Sequence, residues 1–281
     1  MITVTTVKEM QQITENLKQQ GKKIGFVPTM GFLHEGHMSL VNKSVEQSDV
    51  TVMSIFVNPL QFGPGEDFDR YPRDIDRDKK LAEESGVDIL FNPVVKELYP
   101  AEPSVTVKAV TRSDVLCGAS RPGHFDGVVT VLSILFNIVS PDKSFFGQKD
   151  AQQAAIVDGL VKSLHFSTEI ITVETVREED GLAKSSRNVY LNDKERKEAP
   201  AIYQALKNSS NIYIKSGKER AVEMFKKHIS SLNGELDYIE ILTYPELQEP
   251  KDSDHRLIAA AAVRFERARL IDNIIFTTEE V

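Results

Sequence analysis

Two histidines stand three apart in "VPTMGFLHEGHMSLV", His34 and His37, with Gly36 between them and Gly31 just upstream. They follow an apolar run over residues 24–27 that reads as a buried strand. The end of a core strand has no packing need for two imidazoles. At this spacing the rings can be presented to one side of a starting helix. Imidazole N–H groups are good donors to phosphate oxygens, and such donors stabilise the charge that builds on a phosphoryl group in transfer. The glycines allow close backbone approach. A helix opening near Gly36 adds amides and a dipole that favour an anion. One rival places one histidine in the core and the other at the surface, which leaves the flanking glycines unexplained. Another is a zinc site, but that needs a third protein ligand, and none is obvious in the sequence.

The 281 residues suffice for one large domain or two modest ones with a sizeable core. With 41% hydrophobic and 27% charged residues, the composition is that of an ordinary globular chain. A formal charge of −8 argues against a nucleic-acid partner, which calls for a basic footprint. Small anionic ligands stay open, because a pocket can be basic on an acidic protein. The single cysteine, Cys117, excludes an intrachain disulfide and a Cys-rich zinc site. The first twenty residues are polar and mixed in charge, unlike a signal peptide. No apolar run approaches the ~20 residues of a membrane span. The expectation is a cytoplasmic protein with no membrane partner.

Placing the two histidines is the task of the elements around them. Apolar residues at Val7, Met10, Ile13 and Leu17 predict a helix ending at Gly21. A strand over "KIGFV" and a helix over "GHMSLVNKSVEQS" follow. The near-continuous apolar run "DVTVMSIFV" (49–57) predicts a strand buried on both faces. The fifteen-residue "NPLQFGPGEDFDRYP" is long for a connection, and long loops are often functional. "RDIDRDKKLAEESG" reads as a helix, "VDILFNP" as a strand and "FDGVVTVLSILFNIVS" as a buried helix. "KSFFG", "AQQAAIVDGLVKSL" and "TEIITVETV" continue as strand, helix and strand.

This alternation implies an α/β fold, a Rossmann-like parallel sheet with right-handed crossovers and helices on both faces. Ligands of such sheets bind beyond the carboxyl ends of strands, where His34 and His37 fall. After about residue 185 the pattern becomes helices (194–215 and 218–232) followed by strands, predicting a smaller C-terminal α+β domain. The polar "REEDGLAKSSRN" between them is the expected hinge. The expected domains are therefore 1–175, binding nucleotide and substrate, and 176–281, hinge and lid.

The H-x-G-H pattern between strand and helix resembles the HIGH signature of class I aminoacyl-tRNA synthetases and nucleotidylyltransferases. "VPTMGFLHEGHMSLV", "FVNPLQFGPGEDFDRYPR", "RPGHFDGVVTVL", "FFGQKDAQQ" and "DGLAKSSRNVYL" occur together in this order. That set resembles the pantoate–β-alanine ligase family over essentially the whole chain. The resemblance implies an ATP-dependent amide synthesis in two steps. Pantoate attacks the α-phosphate of ATP to give pantoyl adenylate and pyrophosphate, then the β-alanine amine expels AMP. Such chemistry needs in-line geometry and neutralised phosphates, not a covalent nucleophile. A lid closing over ATP would keep water from the adenylate.

Carried onto this chain, the resemblance makes Met30, Gly31, Phe32, Leu33, His34, Glu35, Gly36 and His37 an ATP cradle. His37 is then the proton-donating catalytic histidine and His34 its partner on the phosphates. Gly147, Gln148, Lys149 and Asp150 bind the nucleotide, Lys149 as a catalytic point charge on the phosphates and Asp150 on the ribose. Val176 lines the adenine site. Lys184, Ser185, Ser186 and Arg187 form the phosphate-binding loop. Relatives usually carry an apolar residue at the place of Lys184, so this lysine either adds charge near the phosphates or points away. Gln61 and Gln153 hold pantoate, Gln61 also β-alanine, with Asn58 as helper. A glutamine amide both donates and accepts, which suits hydroxyls and a carboxylate. Val128 and Val131 either wall that pocket or pack the core. Arg121 is placed near the site, and His124 has no derivable role.

Mg²⁺ is implied as the partner of ATP. Asp74, Asp76 and Asp78 are candidate outer contacts but read better as a solvated helix face, so no metal ligand is assigned. A homodimer is implied by the resemblance alone. A nucleotidylyltransferase that stops at AMP transfer is the alternative, though it calls for a more basic acceptor loop than "NPLQFGPGEDF". A non-catalytic nucleotide-binding module would not need paired donors. Length and acidic balance disfavour a tRNA synthetase.

Overall fold

Helices between buried strands leave parallel pairing as the way to build one sheet, because a parallel neighbour needs a crossover long enough to hold a helix. The computed structural model describes residues 1–278, which form two compact units. The first comprises Met1–Thr111, Arg121–Gly147 and Ile156–Val173; the second comprises Arg112–Ser120, Gln148–Ala155 and the chain from Glu174 onward.

In the first unit, β1 (Ile2–Val4) leads into α1 (Val7–Gln19), whose N-terminus is capped by Thr6 accepting the Glu9 N–H at 3.3 Å. Then follow β2 (Ile24–Thr29), α2 (Glu35–Gln47), β3 (Val50–Ile55), α3 (Ile75–Glu84), β4 (Ile89–Phe91) and the single turn α4 (Val95–Leu98). After α5 (Leu116–Ser120), which belongs to the second unit, come α6 (His124–Val139), β5 (Lys143–Gly147), α7 (Ala151–Ser163) and β6 (Glu169–Val173).

All six strands pair in parallel, in the order β1-β4-β3-β2-β5-β6. The neighbours of β2 are β3 on one side and β5 on the other, so the winding reverses there. The crevice at the carboxyl ends of β2 and β5 is the switch point at which such sheets take ligands. Successive strand residues face opposite ways. Val27 and Met53 pack with Leu40 and Val41 of α2 and Ala82 of α3. On the other face Phe26 meets Phe136 of α6 edge-on, ring centroids 6.4 Å apart. Helices cover both faces, as the alternation of elements predicts.

In the second unit, α8 (Asp193–Glu198) and α9 (Ala201–Ile229) precede the antiparallel strands β7 (Glu235–Thr243), β8 (Arg256–Arg264) and β9 (Arg269–Thr277). The helix expected over 194–215 is divided at Pro200, which stands at the α9 N-terminus. Proline lacks the N–H a helix interior needs and clashes with the preceding turn. A second break falls at Gly217, with φ 79°, between the two helices read from sequence. Along β8, Leu257, Ala259 and Ala261 pack with Ile202, Leu206 and Phe225 of α9. The alternate residues Ile258 and Ala260 pack with Leu116, Ala151 and Ala155.

Candidate active site

The turn after β2 is set by local hydrogen bonds. Thr29 Oγ1 donates to Ser54 O at 2.8 Å and accepts the Gly31 N–H at 3.2 Å. Gly31 has φ 83° and Phe32 φ 50°. A Cβ on Gly31 would stand 2.9 Å from Asp78 Oδ2 and 3.0 Å from Ile55 Cγ2, so both space and conformation require glycine. Asp78 of α3 accepts the Phe32 N–H at 2.6 Å through Oδ2 and the Leu33 N–H at 2.8 Å through Oδ1. Arg77 Nη1 lies 3.7 Å from Asp78 Oδ1, and its guanidinium sits over the Phe32 ring. Burial pushes the Asp78 carboxyl up, against the pull of the two amides and Arg77.

The solvated helix face expected of Asp74, Asp76 and Asp78 therefore fails at Asp78, which is only 1% exposed. Two amide donors satisfy a carboxylate that would otherwise be costly to bury. The signal was present: an acid lies on the same helical stripe as Ile75 and Ala82, which belong to the first unit's core. Asp74 instead caps α3, accepting the Arg77 N–H at 3.1 Å.

His34 is the N-cap of α2. Its Nδ1 accepts the Gly36 N–H at 3.1 Å, while His37 Nδ1 accepts the His34 N–H at 3.2 Å. The two imidazoles thus act as a reciprocal capping box. Their ring centroids are 4.0 Å apart. Because each Nδ1 accepts a backbone N–H, each neutral ring carries its proton on Nε2. The result is a pair of Nε2–H donors at the carboxyl end of β2. Leu33 is fully buried in the core beneath them, and Glu35 and Gly36 open the helix.

Gln61 ends a 3₁₀ turn over Pro59–Gln61 and donates from Nε2 to Met30 Sδ at 3.0 Å. Asn58, 1% exposed, holds that turn. Its Oδ1 accepts the Leu60 N–H at 3.3 Å and the Tyr99 hydroxyl at 3.0 Å; its Nδ2 donates to Gly127 O at 3.0 Å and Gln61 Oε1 at 3.3 Å. Burial pushes Tyr99 up to about 12; its hydroxyl is the donor to Asn58. His124 Nδ1 lies 2.7 Å from Gln61 O, and its Nε2 lies 3.1 Å from Arg121 Nη1. A guanidinium can only donate, so Nε2 accepts and Nδ1 donates to Gln61 O. Arg121 also forks onto Glu66, Nε to Oε1 at 2.7 Å and Nη2 to Oε2 at 2.5 Å. Burial raises the Glu66 carboxyl, but the Arg121 hydrogen bond and charge outweigh it and leave the group below its usual range. Sequence reasoning assigned His124 no role; it braces Gln61. Val128 and Val131 are buried in α6 of the same unit. Gly147 closes β5, and nothing lies within 4 Å of where its Cβ would be.

In the second unit, Gln148–Asp150 form a 3₁₀ turn, with Gln148 and Lys149 half-buried and Asp150 exposed. Gln153, also half-buried, lies in the first turn of α7. Val176 O accepts the Lys184 N–H at 2.9 Å and Leu182 O accepts the Glu178 N–H at 2.8 Å, which makes residues 176–184 a tight hairpin. Arg177 grips Asp272 through two bonds of 2.6 and 2.9 Å and stacks 3.5 Å from the Tyr203 ring centroid. Lys184 Nζ pairs with Glu178 at 3.2 Å, so its ammonium turns toward its own hairpin. Ser185 caps the 3₁₀ turn Ser186–Tyr190 by accepting the Arg187 N–H at 3.3 Å; Ser186 is buried.

A capping pair of imidazoles at the switch point of a parallel sheet defines an α/β protein equipped to receive a phosphate-bearing ligand. The chain belongs to the pantoate–β-alanine ligase family, whose model, described as Pantoate-beta-alanine ligase, matches residues 2–275. It is 54% identical over 283 residues to the pantothenate synthetase of Bacillus pumilus (strain SAFR-032), covering 100% of this chain and 98% of the relative. It is 56% identical over 279 residues to that of Bacillus licheniformis, covering 98% and 96%. The crystal structure of pantothenate synthetase from Thermus thermophilus superposes with a TM-score of 0.91 at 43% identity, covering 98% of this chain and 99% of the other. A Francisella tularensis pantoate-beta-alanine ligase, described as complexed with beta-gamma ATP and beta-alanine, gives 0.82 at 34% identity, covering 100% and 99%.

Proposed function

We propose that this protein joins pantoate to β-alanine through an amide bond and cleaves ATP to AMP and pyrophosphate. A pantoate carboxylate oxygen attacks the α-phosphorus, the bond to pyrophosphate breaks, and pantoyl adenylate forms. The β-alanine nitrogen then attacks the acyl carbon, loses a proton, and AMP leaves. The observation that carries this reading is the His34–His37 pair, whose Nε2–H donors are oriented by the cap of α2 itself. Donors fixed beforehand need no reorganisation as charge builds on the phosphoryl group.

Gln61, braced by His124 and Asn58, is the amide that receives pantoate and β-alanine, with Gln153 as the second pantoate contact. Lys149, Ser185, Ser186 and Arg187 bind the phosphates, Val176 the adenine and Asp150 the ribose. Residues 1–175 then carry nucleotide and pantoate binding, and 176–281 serve as hinge and lid. Among the described residues, no three His, Cys, Asp or Glu side chains converge as a metal site would need. Mg²⁺ enters as the ATP complex, held mainly by phosphate and water oxygens. The chain works in the cytoplasm as a homodimer; a monomeric mass by light scattering would remove the dimer.

Pyrophosphate–ATP exchange, with Mg²⁺ and without β-alanine, tests the first step. Exchange is expected only when pantoate is added. Its absence from folded, ATP-binding protein overturns the adenylate mechanism. Exchange independent of pantoate overturns pantoate as acceptor and favours nucleotidyl transfer to another small molecule.

A further inference from the structure

Strand β9 carries two adjacent polar residues with no part in the chemistry above, Asp272 and Asn273, 6% and 4% exposed. Buried polar side chains need hydrogen bonds to be tolerated. Asn273 Nδ2 donates to Gln148 O and to Lys149 O, each at 2.9 Å. Two carbonyl acceptors fix the orientation of the amide, because only its NH₂ can serve both. Its Oδ1 is buried without a protein partner among the described residues. Such an atom carries an uncompensated desolvation cost, which an apolar residue would not. The side chain therefore serves the Gln148–Lys149 turn at some expense to its own strand. That strand is itself held: Asp272 Oδ1 accepts the Asn273 N–H at 2.8 Å while its carboxylate binds Arg177.

We propose that Asn273 is the positioning residue for Lys149. Its two hydrogen bonds hold the turn in the conformation that directs the Lys149 ammonium to the nucleotide phosphates. A lysine is a compact charge on a flexible stem, so the path of its backbone decides where that charge can be delivered. A 3₁₀ turn of three residues has little capacity to hold itself. Asn273 acts through Lys149 and touches no reacting atom. The proposal rests on Lys149 being a phosphate contact.

The test is a double-mutant cycle on the full chain: N273A, K149A and the pair, with KM for ATP, KM for pantoate and melting temperature measured for each. N273A is expected to raise the KM for ATP by about tenfold and to leave that for pantoate within about twofold. In the K149A background the same substitution is expected to change the KM for ATP by less than about twofold, because the group it positions is gone. Equal effects in both backgrounds overturn the proposal. So does an unchanged KM for ATP in a variant whose melting temperature has fallen, which is the outcome of a purely structural role. Should N273A not fold, N273S retains one short donor, and the same comparison is made with it. A K149A enzyme with wild-type kinetics for ATP overturns the phosphate role of Lys149 and the proposal with it. A damaged K149A beside a harmless N273A overturns the positioning role alone.

Discussion

His37 has one job seen in the structure, as a cap, and one that is proposed, as a phosphate donor; their different magnitudes make them separable. As a cap it accepts the His34 N–H, and loss of a helix cap costs about 1 kcal/mol of stability. As a donor to the reacting phosphates its loss is expected to slow turnover ~10²–10⁴-fold, equivalent to about 3–5 kcal/mol of barrier. The expected result for H37A is a small drop in melting temperature with a large drop in kcat. A rate loss of tenfold or less would take His37 out of the chemistry. The types and spacing of the histidines were legible in the sequence. Their tautomers were not, since these depend on which backbone N–H each Nδ1 meets. Asp78 was misread for a related reason: three acids in a short helical segment look solvated until the helix face turned inward is known.

At the scale of elements, the parallel α/β region was legible because strands buried on both faces write continuous apolar runs that helices interrupt. Edge strand β1, three residues long with two exposed, writes no such run and escapes. The split at Pro200 was visible in the sequence but was overridden by the helical pattern on either side. What no local pattern could show is how α6 meets the 3₁₀ turn carrying Gln61. A Cβ on Gly127 would stand 2.2 Å from Leu60 O and 2.6 Å from Gln61 N, a contact with backbone that cannot rotate away. G127A is therefore expected to cost about 1–3 kcal/mol by overpacking. By displacing Gln61 it is also expected to lower kcat/KM for pantoate by about 10–100-fold. Thermal denaturation and steady-state kinetics measure both. A wild-type KM and kcat for pantoate would show that the turn is not set by this contact.

For the whole molecule, the relevant quantity is stability against pH, in which paired acids and net charge compete. Self-repulsion at a formal charge of −8 weakens as pH falls toward the isoelectric point near 5.4 and grows again below it. Individual carboxylates also contribute. Burial raises Asp78, so its contribution is fully present below its ordinary value of 3.8 and is lost as pH rises through its folded value. Glu66 and Asp237 have the opposite sign. Burial raises each, but Arg121 on Glu66, and Arg269 with Arg264 on Asp237, pull both below their ordinary values. Their contributions are present above those values and are lost as pH falls through the lower folded ones. Asp180, which burial raises but Arg196 pulls below its ordinary value, is a third group of this sign. Three lowered groups against one raised group predict net acid destabilisation below about pH 4.5, the ordinary value for glutamate. E66Q isolates one part of it. The amide keeps the shape of the pair but cannot titrate, so the variant is expected to be less stable than wild type at pH 7. It is also expected to show a shallower loss of urea midpoint between about pH 5 and 3. An acid slope identical to wild type would mean that the Arg121 pair does not hold Glu66 ionised, and that acid lability has its origin in other groups.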